Sequence, residues 1–156
     1  MMTNEPDFNV DDAHKFFSAY CFNKAWEFIE KDNRTPQEDE EMVRLSHTSH
    51  WHWTQREDYS PRNASIAYWQ TSRIYALLGQ SENARRYAQL CLEASQGDDS
   101  DPFLLGYAYE ALARAETVAG NKEQMETYLQ KAREFAVKLT DGEDRQLLMD
   151  DLETIH

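Results

Sequence analysis

The 156-residue chain is 40% hydrophobic, 12% aromatic and 29% charged, enough apolar material for one domain with a real core. Sixteen Lys and Arg against 29 Asp and Glu leave a net charge of −13, which repels phosphate backbones and anionic lipid, so nucleic-acid and membrane-surface partners are excluded. Five Gly and four Pro are too few for a turn-rich β protein or a low-complexity chain.

The N-terminal stretch 1–10 is polar and acidic, with no positive region leading into an apolar run, so no signal peptide is expected. No window approaches the roughly 18 uninterrupted apolar residues of a membrane span. Cys21 and Cys91 lie far apart inside helical patterns. They read as small buried hydrophobes, not as a disulfide or a thiolate metal site. A cytoplasmic location is the expectation.

Apolar residues recur every three or four positions and never alternate for long, which predicts helices throughout. The first spans about 9–31 with Asn9 as cap. Its predicted inward stripe is Val10, Ala13, Phe17, Tyr20 and Phe28, widened by Phe16, Trp26 and Ile29. Thr35 then caps a second helix with Pro36 in its first position and an acidic first turn, running to about Arg56 through Met42, Leu45, Ser49 and Trp53. A polar loop, 57–62, leads to a third helix over about 63–78, closed by Gly79. Ser81 is read as the cap of a fourth helix to about Ser95. The break 96–100 precedes a fifth helix opened by Asp101 and Pro102 and closed by Gly120. Asn121 caps a sixth to about Leu139, and after 140–142 the stripe Leu148, Leu152, Ile155 marks a short seventh. Seven helices with short polar joints predict an all-α, antiparallel helical-hairpin stack.

A shift of the chain by 41 residues exposes an internal repeat. Between 66 and 95 eight positions become identical, among them Ala67 with Ala108, Tyr68 with Tyr109, Arg73 with Arg114, Gly79 with Gly120 and Tyr87 with Tyr128. Ordinary composition gives about two such matches by chance. The unit is helix, glycine bend, helix, and one hairpin of this kind needs a stacked neighbour to cover its apolar face.

Tyr68, Ser72, Tyr75 and Gly79 on the first helix of the unit, with Ala84, Ala88 and Cys91 on the second, resemble the tetratricopeptide repeat. The resemblance covers residues 64–139. The second copy departs at Met125 and Leu129, carries Glu116 where an aromatic is expected, and steps by 41 residues where the family's repeat has 34. It implies a single domain over 1–156, with a degenerate first pair at 9–57, repeats at 63–96 and 102–139, and a capping helix at 142–156. His50, Trp51, Asn63, Trp69, Ser72, Arg73, Leu78, Gly79 and Ala84 are also similar to a group of small bacterial tetratricopeptide-like proteins. That implies a bacterial setting and brings no activity.

Two groups of residues are candidates for chemistry. The stretch 46–53 holds three of the five histidines. His47 and His50 share a helix face, while His52 points about 140° from His47. None has the i, i+4 spacing of a zinc helix, so no metal is assigned. Carried back by 41 residues, the register puts His47 level with Ala88 and His50 level with Cys91, which are packing positions. Either these imidazoles are satisfied in the core, or with Asn63 they line a small polar site between the first three helices. Their expected partners include Asp12 and His14.

The second group is an arginine pair. Arg73 and Arg114 take equivalent points on the face that lines the groove of tetratricopeptide proteins, with Trp69 and Glu110 one turn before them and Ile66 and Tyr107 further back. Stacked guanidinium groups beside an aromatic suit a carboxylate or phosphate; equally, Arg73 and Glu110 can pair with each other across adjacent helices. Acidic runs at 38–41 and 98–101 read as helix-start and turn residues. No nucleotide-binding, nucleophile-elbow or cofactor motif is present, so neither catalytic residue nor cofactor is assigned.

The leading expectation is an interaction module whose groove takes a peptide or protein segment. The alternative is an enzyme or small-molecule receptor built on His47, His50, Asn63 and Arg73. Self-association into a homodimer through Phe22 and Trp26 of the first helix, or through the C-terminal stripe, is a third.

Overall fold

The computed structural model describes residues 5–97 and 100–156. Residues 1–4, and Asp98 and Asp99 of the acidic break, lie outside the described residues. Among the described residues the chain forms seven α-helices and no strand: α1 (Val10–Ile29), α2 (Pro36–Thr54), α3 (Pro61–Leu77), α4 (Ser81–Ser95), α5 (Pro102–Ala119), α6 (Lys122–Lys138) and α7 (Gly142–Glu153). None is long and apolar enough to cross a membrane. The helices fall into two compact units, the first ending at Tyr59 and the second spanning Ser60–His156.

The first unit is the α1–α2 hairpin. The Asn9 side chain accepts from Asp12 N–H at 3.0 Å and starts α1. Thr35 and Glu38 form a reciprocal capping box ahead of α2, with Pro36 in the first turn. Arg34 ties the joint down, bonding Asp39 at 2.7 Å and the Phe28 and Lys31 carbonyls. The buried face of α1 is Ser18, Cys21, Ala25 and Ile29; of the stripe expected only Ile29 is fully in it, and the aromatic positions are not. Small residues let the two helix backbones approach, so the large rings turn outward. Phe16 is 59% exposed and Tyr20 49%, and these with Phe17 are the exposed aromatics, whereas Phe22 and Trp26 are half-buried.

The register carried back by 41 residues also fails on α2. Its buried residues Met42, Leu45, Ser46 and Ser49 have the spacing of Ala88, Cys91, Leu92 and Ser95, an offset of 46. That five-residue slip moves His47 to an exposed position and His50 to a half-buried one. It arises because α2 runs on five residues past Ser49 to Thr54, whereas α4 ends at Ser95.

In the second unit the 41-residue step recurs in the backbone bends and in the ring packing. α3 packs on α4, α4 on α5, α5 on α6, and α7 lies against α5 and α6. Gly79 and Gly120 sit at φ 72° and 76°, the left-handed region where glycine has no Cβ to clash. Gln80 N–H bonds the Tyr75 carbonyl at 2.9 Å, and 41 residues on Asn121 N–H bonds that of Glu116 at 3.0 Å. Both bends therefore end their helices with the same pattern. The Tyr68–Tyr87 rings lie 6.2 Å apart at 31°, and Tyr109–Tyr128 6.1 Å apart at 37°. Ala84, Ala88 and Cys91 are fully buried, as is Ala132; Met125 and Leu129 fill the same line with larger side chains. Burial holds the Cys91 thiol neutral, its pKa pushed up to about 12.

Two boundaries differ from the reading of the sequence. α3 begins at Pro61, with Ser60 in the cap position, because a Pro in the first turn starts a helix as Pro36 does. Gln80, not Ser81, is the residue before α4, the equivalent of Asn121 before α6. The departure at Glu116 also has its reason. Where the first copy stacks Tyr75 on Tyr87 at 5.5 Å, the buried Glu116 carboxylate takes both Arg85 nitrogens at 2.6 and 3.0 Å.

Substituting either bend tests the repeat. An added Cβ meets nothing within 4 Å at Gly79 or Gly120, so the cost is backbone conformation alone. Gly79→Ala and Gly120→Ala are each expected to lose about 1–2 kcal/mol in urea unfolding, and by similar amounts.

Candidate functional site

The polar centre of the second unit is Glu110, whose side chain is 0% exposed on α5. One carboxylate oxygen accepts from Arg73 Nη1 of α3 at 3.1 Å and from Arg114 Nε, one turn along α5, at 2.5 Å. The other accepts from Trp69 Nε1 at 2.8 Å. Trp69 packs edge-on against Tyr107 at 5.3 Å, and the Tyr107 hydroxyl donates to Asp151 of α7 at 2.7 Å. Arg114 Nη2 completes the network on the Asp151 carbonyl at 3.1 Å and on Thr154 Oγ1 at 2.8 Å.

The 41-residue step explains this gathering. Trp69, Glu110 and Asp151 take the same place on α3, α5 and α7, so α7 continues the series of first helices and is more than a cover. The reach of the arginines repeats while the acceptor changes. Arg73 reaches 37 residues ahead to the Glu110 carboxylate, and Arg114 reaches 37 ahead to the Asp151 backbone carbonyl. Asp151 and Thr154 were not singled out in the sequence, although one more step from Glu110 lands on Asp151.

The two arginines therefore do not stand as an open positive cradle. Glu110 and Asp151 match their charge, and their side chains keep only 19% and 16% of their surface. The pairing expected between Arg73 and Glu110 is present, and it crosses adjacent helices. Burial, and then the neighbouring Arg114 charge, lowers the pKa of Arg73, against the pull of Glu110 and Asp151. Burial and the hydrogen bond to Asp151 raise that of Tyr107, which stays a neutral donor.

One donor is left over. Arg73 Nε is buried and has no hydrogen-bond partner among the described residues. Nη1 is spent on Glu110, so the edge of the guanidinium carrying Nε remains uncommitted. Buried donors of this kind are rare in folded proteins.

The remaining candidates have other work. The Asn63 amide oxygen accepts from Ser60 N–H at 3.0 Å and Ser60 Oγ at 2.8 Å, which secures the start of α3. His50 Nε2 meets the Tyr59 hydroxyl at 2.8 Å within the first unit, and burial, then the His47 charge, lowers its pKa. His47 is exposed on α2. A pairing the sequence did not predict joins His14 of α1 and His52 of α2, Nδ1 to Nδ1 at 2.8 Å. Residues 38 apart carry no local sign of such a meeting. Comparison with protein-family models, with curated proteins and with solved structures gives no match for this chain.

Proposed function

We propose that the chain is a non-enzymatic interaction module of tetratricopeptide-like type, binding a peptide or protein segment and seating one of its anionic groups on Arg73. We take its setting to be the bacterial cytoplasm, on the resemblance carried by His50, Trp51, Asn63, Trp69 and Arg73.

The observation that carries this reading is the unpartnered Nε of Arg73. Glu110 grips one nitrogen of that guanidinium, and its other oxygen accepts from Trp69, which packs edge-on against Tyr107. A carboxylate docking on the Nε edge would satisfy the buried donor. Because Glu110 and Asp151 already balance the two arginines, what the Nε edge offers a partner is a buried hydrogen-bond donor and not surplus charge. The alternative receptor site of His47, His50, Asn63 and Arg73 gains no support, since His50, Asn63 and Arg73 each have a structural partner of their own.

An array of acidic and free-C-terminal peptides tests the proposal. A subset is expected to bind the wild-type chain and to be lost with Arg73→Ala. Arg73→Lys, which keeps the charge but not the planar fork, is expected to lose it as well. Both variants should keep wild-type helicity, because Glu110 retains Arg114 and Trp69. If no peptide binds, or if the variants bind as the wild type does, the reading is wrong.

A further inference from the structure

We propose that His14 and His52 form a bidentate site for a divalent transition-metal ion of the copper, nickel and zinc class. Their Nδ1 atoms converge at 2.8 Å across the α1–α2 hairpin. The rings lie 5.0 Å apart at 50°, so the two Nδ1 atoms face each other nearly head-on along the line of their hydrogen bond. With metal–nitrogen bonds of about 2.0–2.1 Å, two cis ligands stand about 2.9–3.4 Å apart, so the present spacing suits an ion once each ring turns to aim its lone pair off the line between the nitrogens.

The pair is held in advance. Ser49 Oγ donates to the Ser18 carbonyl at 2.7 Å and Arg56 Nη1 to Ser18 Oγ at 3.0 Å, locking the two helices in register. His14 lies one turn before Ser18 and His52 three residues after Ser49, so this lock sets the two rings facing each other. Trp51 stands edge-on to His14 at 5.4 Å, and Phe17 lies 5.5 Å from His52. The nearby Arg56 charge is answered by Asp58, bonded at 2.7 and 2.8 Å.

Without an ion the two rings share one N–H. On metal binding that proton moves to Nε2 of the same ring, and neither Nε2 has a protein partner among the described residues. Both Nδ1 lone pairs then go to the ion. Among the described residues no third His, Cys, Asp or Glu completes the set, so the other coordination positions fall to water or to an added ligand. Two neutral imidazoles favour Cu(II), Ni(II) and Zn(II), with Cu(II) the tightest, over Mg(II) or Ca(II).

The test is titration of the full chain, without an affinity tag, with Cu(II), Zn(II) or Mg(II) as the ion alone. One Cu(II) per chain is expected, with a paramagnetic-resonance spectrum showing two coordinated nitrogens, and no Mg(II) binding. His14→Gln and His52→Gln should each weaken Cu(II) binding roughly tenfold or more, while His47→Gln leaves it unchanged. The nitrogen count on the wild-type chain decides the matter even if a variant fails to fold. Absence of saturable binding, a nitrogen count other than two, or wild-type affinity in the His14 and His52 variants overturns the site.

Discussion

Glu110→Ala is expected to destabilise the second unit by about 3–5 kcal/mol, the usual cost of removing one member of a buried ion cluster. The carboxylate has no exposed surface and is the common acceptor for Arg73, Arg114 and Trp69. Its loss leaves two largely buried guanidinium groups facing each other with the intervening charge gone. For a chain of this size the change corresponds to a fall in Tm of roughly 6–20 °C. Glu110→Gln keeps the shape but turns an amide N–H₂ towards donors, so it should be nearly as costly. Adding Arg73→Met to Glu110→Gln removes one of the stranded charges and is expected to recover part of the loss. Thermal and urea unfolding of the three variants measure this. A Glu110→Ala chain as stable as the wild type would mean that the cluster is solvated in solution.

Leu148→Ala is expected to cost about 2–5 kcal/mol, because Leu148 is fully buried among Tyr107, Met125, Leu129, Ala132 and Leu152. Its partner is Gly106. A Cβ built on Gly106 falls 2.6 Å from Leu148 Cδ2 and 3.5 Å from Phe135 Cβ, so glycine here makes room for α7 against α5. Gly106→Ala alone forces the leucine aside and costs about 1–3 kcal/mol, less the gain of alanine in a helix. In the double variant the new methyl enters the space the leucine vacates. The two effects should therefore fall short of their sum by about 1 kcal/mol in a urea-unfolding cycle. Strict additivity would show that Gly106 and Leu148 do not meet. The contact bears on the candidate site as well, since α7 pressed down through Leu148 brings Asp151 to Tyr107 and Arg114.

Much of the local structure was legible from residue types alone. Asn9, Thr35, Asp101 and Asn121 cap the helices they were read to cap. Gly79 and Gly120 make the bends that the period required, and Leu148, Leu152 and Ile155 form the buried stripe of α7. The misreadings cluster in the first unit. Hydrophobicity favoured Phe16, Phe17 and Tyr20 as the inner face of α1, and the hairpin packs through Ser18, Cys21 and Ala25 instead. A helix rich in rings along its length presents two apolar faces, and only the partner helix chooses between them.

Caps and glycine bends act within a turn or two of backbone, and the 41-residue period shows when the sequence is laid against itself, so the amino-acid order alone settles them. The meetings that give the molecule its chemistry span 37 to 41 residues or join separate helices: Arg73 and Trp69 on Glu110, Arg114 on Asp151, His14 on His52. Those depend on helix-to-helix distance and on rotation about each helix axis. Close packing sets both quantities for the whole unit at once, and no single stretch of residues carries them.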